Sequence, residues 1–112
     1  MHATPNSTGA TTAAVDLAKD VFELAFADAD ARIIDRRRLT RMAFAKAFEN
    51  RAPLHIVMEA CGSAHYWARR FMRLGHDVRL LPAHDVRPYV RRNKTDRTDA
   101  AGLLEAARCA SI

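Results

Sequence analysis

The sequence predicts one α/β domain on a mixed five-stranded sheet: an antiparallel three-stranded meander, two parallel strands, and helices packed on the sheet. Three observations lead there. Residues 13–39 hold three short apolar-rich segments joined by links of a few residues, and links that short force antiparallel pairing. Two later apolar runs, Leu54 to Met58 and Asp77 to Leu81, each follow a segment of helical period, and crossovers of that kind make parallel strands with right-handed connections. Finally, 112 residues, 49% apolar and 28% charged, suit one globular core and leave no room for a second full domain.

In chain order, residues 1–12 are small and polar and are expected to form a disordered tail, with residues 13–112 as the domain. Ala14-Val15-Asp16-Leu17 is the first strand, and Lys19-Asp20 a tight turn. From Val21 to Ala27 the residues alternate, with Phe22, Leu24 and Phe26 inward and Val21, Glu23 and Ala25 outward. Asp28-Ala29-Asp30 turns the chain into a third strand, Arg32 to Leu39, whose basic outer edge is Arg36-Arg37-Arg38. Such an edge either discourages sheet-to-sheet aggregation or follows a nucleic-acid backbone.

Thr40 is placed to cap a helix on which Met42, Phe44, Ala45 and Phe48 recur at helical spacing, closed by Pro53. After the fourth strand, Gly62 permits a sharp turn and Ser63 caps a second helix. Its buried stripe is Tyr66, Trp67, Phe71 and Leu74, its wet face Arg69, Arg70 and Arg73, and its stop signal Gly75. Pro82 ends the fifth strand, Ala83 to Tyr89 is a helical turn, and Arg87, Arg91, Arg92, Lys94 and Arg97 make a basic connector. Thr95 caps a last helix, Asp96 to about Arg108, with Ala100, Leu103, Leu104 and Ala107 inward.

A formal charge of +5 and a pI near 9.9 make a polyanionic partner plausible. No apolar run has the length of a membrane span, and the first residues lack a basic-then-apolar export pattern. Cys61 and Cys109 form neither a C-x-x-C pair nor a disulfide scaffold, so a reducing cytosol is expected. Cys61 and His65 stand four apart, but two ligands do not make a zinc site. His55, His76 and His84 are scattered and carry no assignment.

The chemistry-bearing residues are acidic. Asp16 lies among apolar strand residues, and Glu59 follows the apolar run His55 to Met58, where a buried carboxylate is costly unless paired. If the first and fourth strands are adjacent and parallel, the two carboxylates approach each other. Asp96 and Asp99 are three apart and share a helix face. Each alone has a bland reading, as a strand-edge, turn or first-turn helix charge. Together they suit two Mg²⁺ ions about 4 Å apart that stabilise the attacking and leaving oxygens of a phosphodiester. The adjoining basic connector would neutralise neighbouring phosphates.

Four blocks carry a family resemblance: Ala14 to Lys19, Met58 to Arg69, Leu74 to Val78, and Asn93-Lys94-Thr95-Asp96-Arg97-Thr98-Asp99-Ala100. They resemble the N-terminal domain of the DEDD-type transposases of bacterial insertion sequences, from about Ala13 onward. The resemblance implies a ribonuclease-H-like (RuvC-like) fold. It implies that Asp16, Glu59, Asp96 and Asp99 are the metal-binding, catalytic acids for Mg²⁺ or Mn²⁺. It also implies cutting and rejoining of DNA at element ends and target in DNA transposition and recombination, a guide RNA as a further partner, oligomerisation with full-length transposase, and a bacterial cytoplasmic, nucleoid-associated location. Arg87, Arg91, Arg92, Lys94 and Arg97 are the expected nucleic-acid contacts.

Family members also carry a C-terminal domain with a catalytic serine. The sequence ends at Ile112, and Ser7, Ser63 and Ser111 offer no basis for assigning that nucleophile. The expectation is a truncated, metal-binding half, inactive alone. The alternatives are a non-catalytic module that binds DNA or RNA or oligomerises, and an ATP-binding domain. The last is disfavoured because the four glycines form no Gly-rich run.

Overall fold

The computed structural model describes residues 9–17, 21–92 and 100–110, without the side chains of 90–92, 109 and 110. The elements are β1 (Thr12–Asp16), β2 (Val21–Ala27), β3 (Ile33–Thr40), α1 (Arg41–Lys46), β4 (His55–Glu59), α2 (Ala64–Arg73), β5 (Asp77–Leu81), α3 (Ala83–Arg92) and α4 (Ala100–Ala110). The strand order is β3-β2-β1-β4-β5. β1, β2 and β3 form the antiparallel meander, and β4 lies parallel to both β1 and β5. The expected mixed α/β architecture is therefore present. The Lys19-Asp20 turn and the helix start at Thr95 and Asp96 lie outside the described residues.

Both sheet faces are covered. On one, Val15, Phe22, Leu24, Phe26, Ile56 and Met58 pack against Phe44, Phe48, Trp67 and Phe71 from the α1–α2 layer. On the other, Ala14, Ala25, Ala27 and Val57 meet Val86 of α3 and Ala100, Leu103, Leu104 and Ala106 of α4. This second layer corrects the outward reading of Ala25. Small residues on that face let α4 lie close, and both Ala25 and Ala27 are fully buried.

Several local expectations change. Thr40 caps α1, its Oγ1 accepting from the Ala43 N–H at 3.2 Å, but Met42 is 74% exposed and Phe44 is the one buried residue of that helix. The buried stripe of α2 is Ala64, Trp67, Ala68 and Phe71, the i, i+3, i+4, i+7 pattern of one face. Tyr66 lies off that stripe, Leu74 is the C-cap beyond the helix, and both are exposed. Ser63 precedes α2 with helical angles (φ −87°, ψ −13°) and makes no side-chain cap, since a cap needs extended backbone to aim its hydroxyl at the first turn. Gly62 has open space where a Cβ would stand and no left-handed φ, so nothing there demands glycine; Gly75, at φ +98°, does have a backbone that favours it. Arg70 leaves the wet face and donates to the Ala45 carbonyl at 3.2 and 3.3 Å. The predicted helical turn after Pro82 is a ten-residue helix, α3, that contains Pro88.

A buried ring and a half-buried cation fasten the α1–β4 connection. His76 is almost fully buried; its Nδ1 accepts from the Leu54 N–H at 3.0 Å and its Nε2–H donates to the Phe48 carbonyl at 2.8 Å. Arg51 lies over the Phe26 ring, 4.8 Å from its centroid, and its Nε donates to the Ala47 carbonyl at 2.7 Å. Burial, with the neighbouring Arg37 cation adding to it and Asp35 opposing, lowers the Arg51 guanidinium from its ordinary value.

Candidate functional site

Asp16 and Glu59 are the last residues of β1 and β4. The parallel register runs Thr12–His55, Ala13–Ile56, Ala14–Val57, Val15–Met58. Its next step sets Asp16 beside Glu59, on strands about 4.8 Å apart. Side chains paired across strands share a face, so both acids share the face of Ala14 and Val57, which is the face under α4. Glu59 is exposed, so the expected desolvation cost does not arise. Asp16 is half-buried.

The row extends beyond the two predicted acids. Glu23 of β2 is opposite Asp16, and Arg38 of β3 is opposite Glu23. The Arg38 Nε stands 3.6 Å from the Glu23 Oε2. At the carboxyl ends of β1 and β4 the sheet thus presents Arg38, Glu23, Asp16 and Glu59 side by side on one face. Glu23 was not among the predicted site residues. Its alternation marks it as facing away from Phe22 and Leu24, but only the strand register reveals that it neighbours Asp16.

α4 crosses this face antiparallel to β1. Near the amino ends of the strands, Arg79 Nη1 donates to the Ala107 carbonyl of α4 at 3.3 Å, and Thr12, His55 and Asp77 line a cavity of about 450 Å³ with Leu104, Ala107 and Arg108. The first residue of α4, the buried Ala100, therefore lies toward the carboxyl ends, where Asp16 and Glu59 stand. Asp99 precedes Ala100 in sequence; Asp96 and Asp99 themselves lie outside the described residues.

Two of the four predicted acids are thus brought to neighbouring positions. Their hard oxygen donors suit Mg²⁺ or Mn²⁺. Among the described residues, no three His, Cys, Asp or Glu side chains are grouped closely enough to hold a metal ion. Of the predicted nucleic-acid contacts, Arg87 is an exposed residue of α3. Arg91 and Arg92 also belong to that helix rather than to a connector, with side chains outside the described residues, as Lys94 and Arg97 are entirely. No helix among the described residues is long and apolar enough to cross a membrane.

No model of a known protein family matches the chain. Individual proteins do. The chain is 45% identical over 93 residues to a family 20 transposase of Pseudomonas aeruginosa, covering 83% of this chain and 28% of that protein. It is 42% identical over 98 residues to the transposase for insertion sequence element IS1111A of Coxiella burnetii, covering 88% and 27%. It is 34% identical over 92 residues to the transposase for insertion sequence element IS1328 of Yersinia enterocolitica, covering 82% and 28%. The chain spans little more than a quarter of the length of these relatives. Over most of its own length it is homologous to part of the transposases of bacterial insertion sequences.

Proposed function

We propose that this chain is the metal-binding part of an insertion-sequence transposase, with a ribonuclease-H-like (RuvC-like) fold, serving Mg²⁺- or Mn²⁺-assisted cleavage and strand transfer of DNA phosphodiesters. The observation that carries the reading is the parallel β1–β4 register, which sets Asp16 and Glu59 side by side on one face at the carboxyl ends of their strands. Open α/β sheets place ligands at such strand ends.

Asp16, Glu59, Asp96 and Asp99 would hold the metal. A bound divalent ion neutralises charge on the oxygens of a phosphodiester under attack. The carboxylates bind and orient; Arg87 and the basic residues Arg91, Arg92, Lys94 and Arg97 hold the nucleic-acid backbone nearby. The approach of Ala100 to the acid end of the sheet supports including Asp99, its neighbour in sequence.

The test is a calorimetric titration of the chain with Mn²⁺, beside the Asp16→Asn plus Glu59→Gln variant. The variant keeps size and hydrogen-bonding capacity and removes two charges. Wild type is expected to bind, and the folded variant to bind at least tenfold more weakly, about 1.4 kcal/mol. Equal and negligible binding by both, with circular dichroism showing both folded, would overturn the metal reading. Salt-dependent nucleic-acid binding would then leave a non-catalytic binding module as the description.

A further inference from the structure

Arg36, Arg37 and Arg38 are consecutive but not equivalent. The pleat turns Arg37 toward the α1–α2 face, where its Nε donates to Asp35 at 2.9 Å. Arg36 and Arg38 point to the opposite face, the one that carries Asp16 and Glu59, and both are exposed. We infer that Arg36 and Arg38 form a rail for the phosphodiester backbone of a nucleic acid, leading along the open edge of the sheet toward Asp16 and Glu59. This deepens the reading above and rests on its nucleic-acid half.

Five features carry it. β3 is the outermost strand of the sheet, and α4 packs on β1, β2 and β4, so that a long polymer has access to the face of β3 from the side. β3 runs parallel to β1, so the line from Arg36 to Arg38 points toward the carboxyl end of β1. Arg38 lies in the same cross-strand row as Asp16, two strands away, about 10 Å. Residues two apart on a strand are about 7 Å apart, comparable to successive phosphates on an extended backbone. Glu23 steadies Arg38 at 3.6 Å while leaving its side chain 73% exposed, so the guanidinium keeps donors for a phosphate.

The test measures binding of short duplex DNA, and of an RNA stem of equal length, against salt, all in chelator without divalent ions. A failure of metal binding therefore leaves its outcome untouched. The variant is Arg36→Gln plus Arg38→Gln. The control is Arg69→Gln plus Arg73→Gln, which removes the same charge from exposed positions on α2. For whichever nucleic acid binds, the β3 variant is expected to lower affinity roughly 10–60-fold at 0.1 M salt, and to flatten the slope of log K against log salt by about 1–2. Arg36→Lys plus Arg38→Lys should keep most of the affinity, which separates lost charge from lost fold. Equal losses in the β3 and α2 variants would make the effect one of net charge alone and overturn the rail. Absence of salt-dependent binding by wild type to either nucleic acid would overturn it too.

Discussion

Replacing Phe44 by alanine is expected to destabilise the fold by about 3–5 kcal/mol, the range for removing a fully buried aromatic side chain. Phe44 is the only buried residue of α1, and its ring centroid lies 4.5 Å from that of Phe22, 4.7 Å from Trp67 and 5.3 Å from Phe71, each edge-on. Its ring therefore anchors the helix and ties β2 to α2. Domains of this size have about 5–15 kcal/mol of stability in total, so the variant should sit close to unfolding. Urea denaturation reads the effect as a fall in midpoint at constant m-value. Phe44→Leu, which keeps most of the volume, should lose less than half as much. A loss below about 1 kcal/mol for the alanine variant would mean that α1 is not docked as described.

The second large effect is expected at His76. His76→Phe keeps a ring against Phe48, whose ring centroid is 5.6 Å away, but strands the Leu54 N–H and the Phe48 carbonyl. Each buried group left without a partner costs about 1–3 kcal/mol, so a total of about 2–6 kcal/mol is expected. His76→Asn places an acceptor near the Nδ1 position and His76→Gln a donor near the Nε2 position. Each should recover part of the loss, since each restores one bond. Thermal and urea unfolding of the three variants checks the order: Phe lowest, Asn and Gln between it and wild type. If all three matched wild type, the two hydrogen bonds would have no part in holding β4 to the α1 segment.

Much of this architecture was legible because strand period and turn chemistry agree. The bounds of β2 and β5 match the expected segments, and the β3-β2-β1-β4-β5 order follows the meander and crossover reading. At Tyr66 and Met42 the difference has one cause: size does not set direction. Tyr66 and Met42 are large and apolar, yet they lie off the faces defined by Trp67, Phe71 and Phe44, whereas the small Ala64 and Ala68 fill the stripe of α2. α3 runs three residues past the expected turn at Ala83 to Tyr89, although its Pro88 removes a donor from the helix interior. Burial of Val86 against the α4 layer outweighs that local preference. His76 carried no signal, because a histidine's partners here are backbone groups more than 20 positions away. Of the candidate site, Asp16 and Glu59 could be named from the sequence, but Glu23 and the split of the three arginines depend on register, which no short window contains.

The placement of β1 in the middle of the sheet also constrains the order of assembly. Its antiparallel partner β2 follows after a short link, so the meander closes at small entropic cost. Its parallel partner β4 begins with His55, paired with Thr12 roughly 40 residues earlier, a closure that is slower and gains nothing until it is complete. During synthesis β1 is therefore expected to pair with β2 first, its other edge staying open until Glu59 has emerged. On that order, Asp16 and Glu59 meet only at the later step, after the meander has formed.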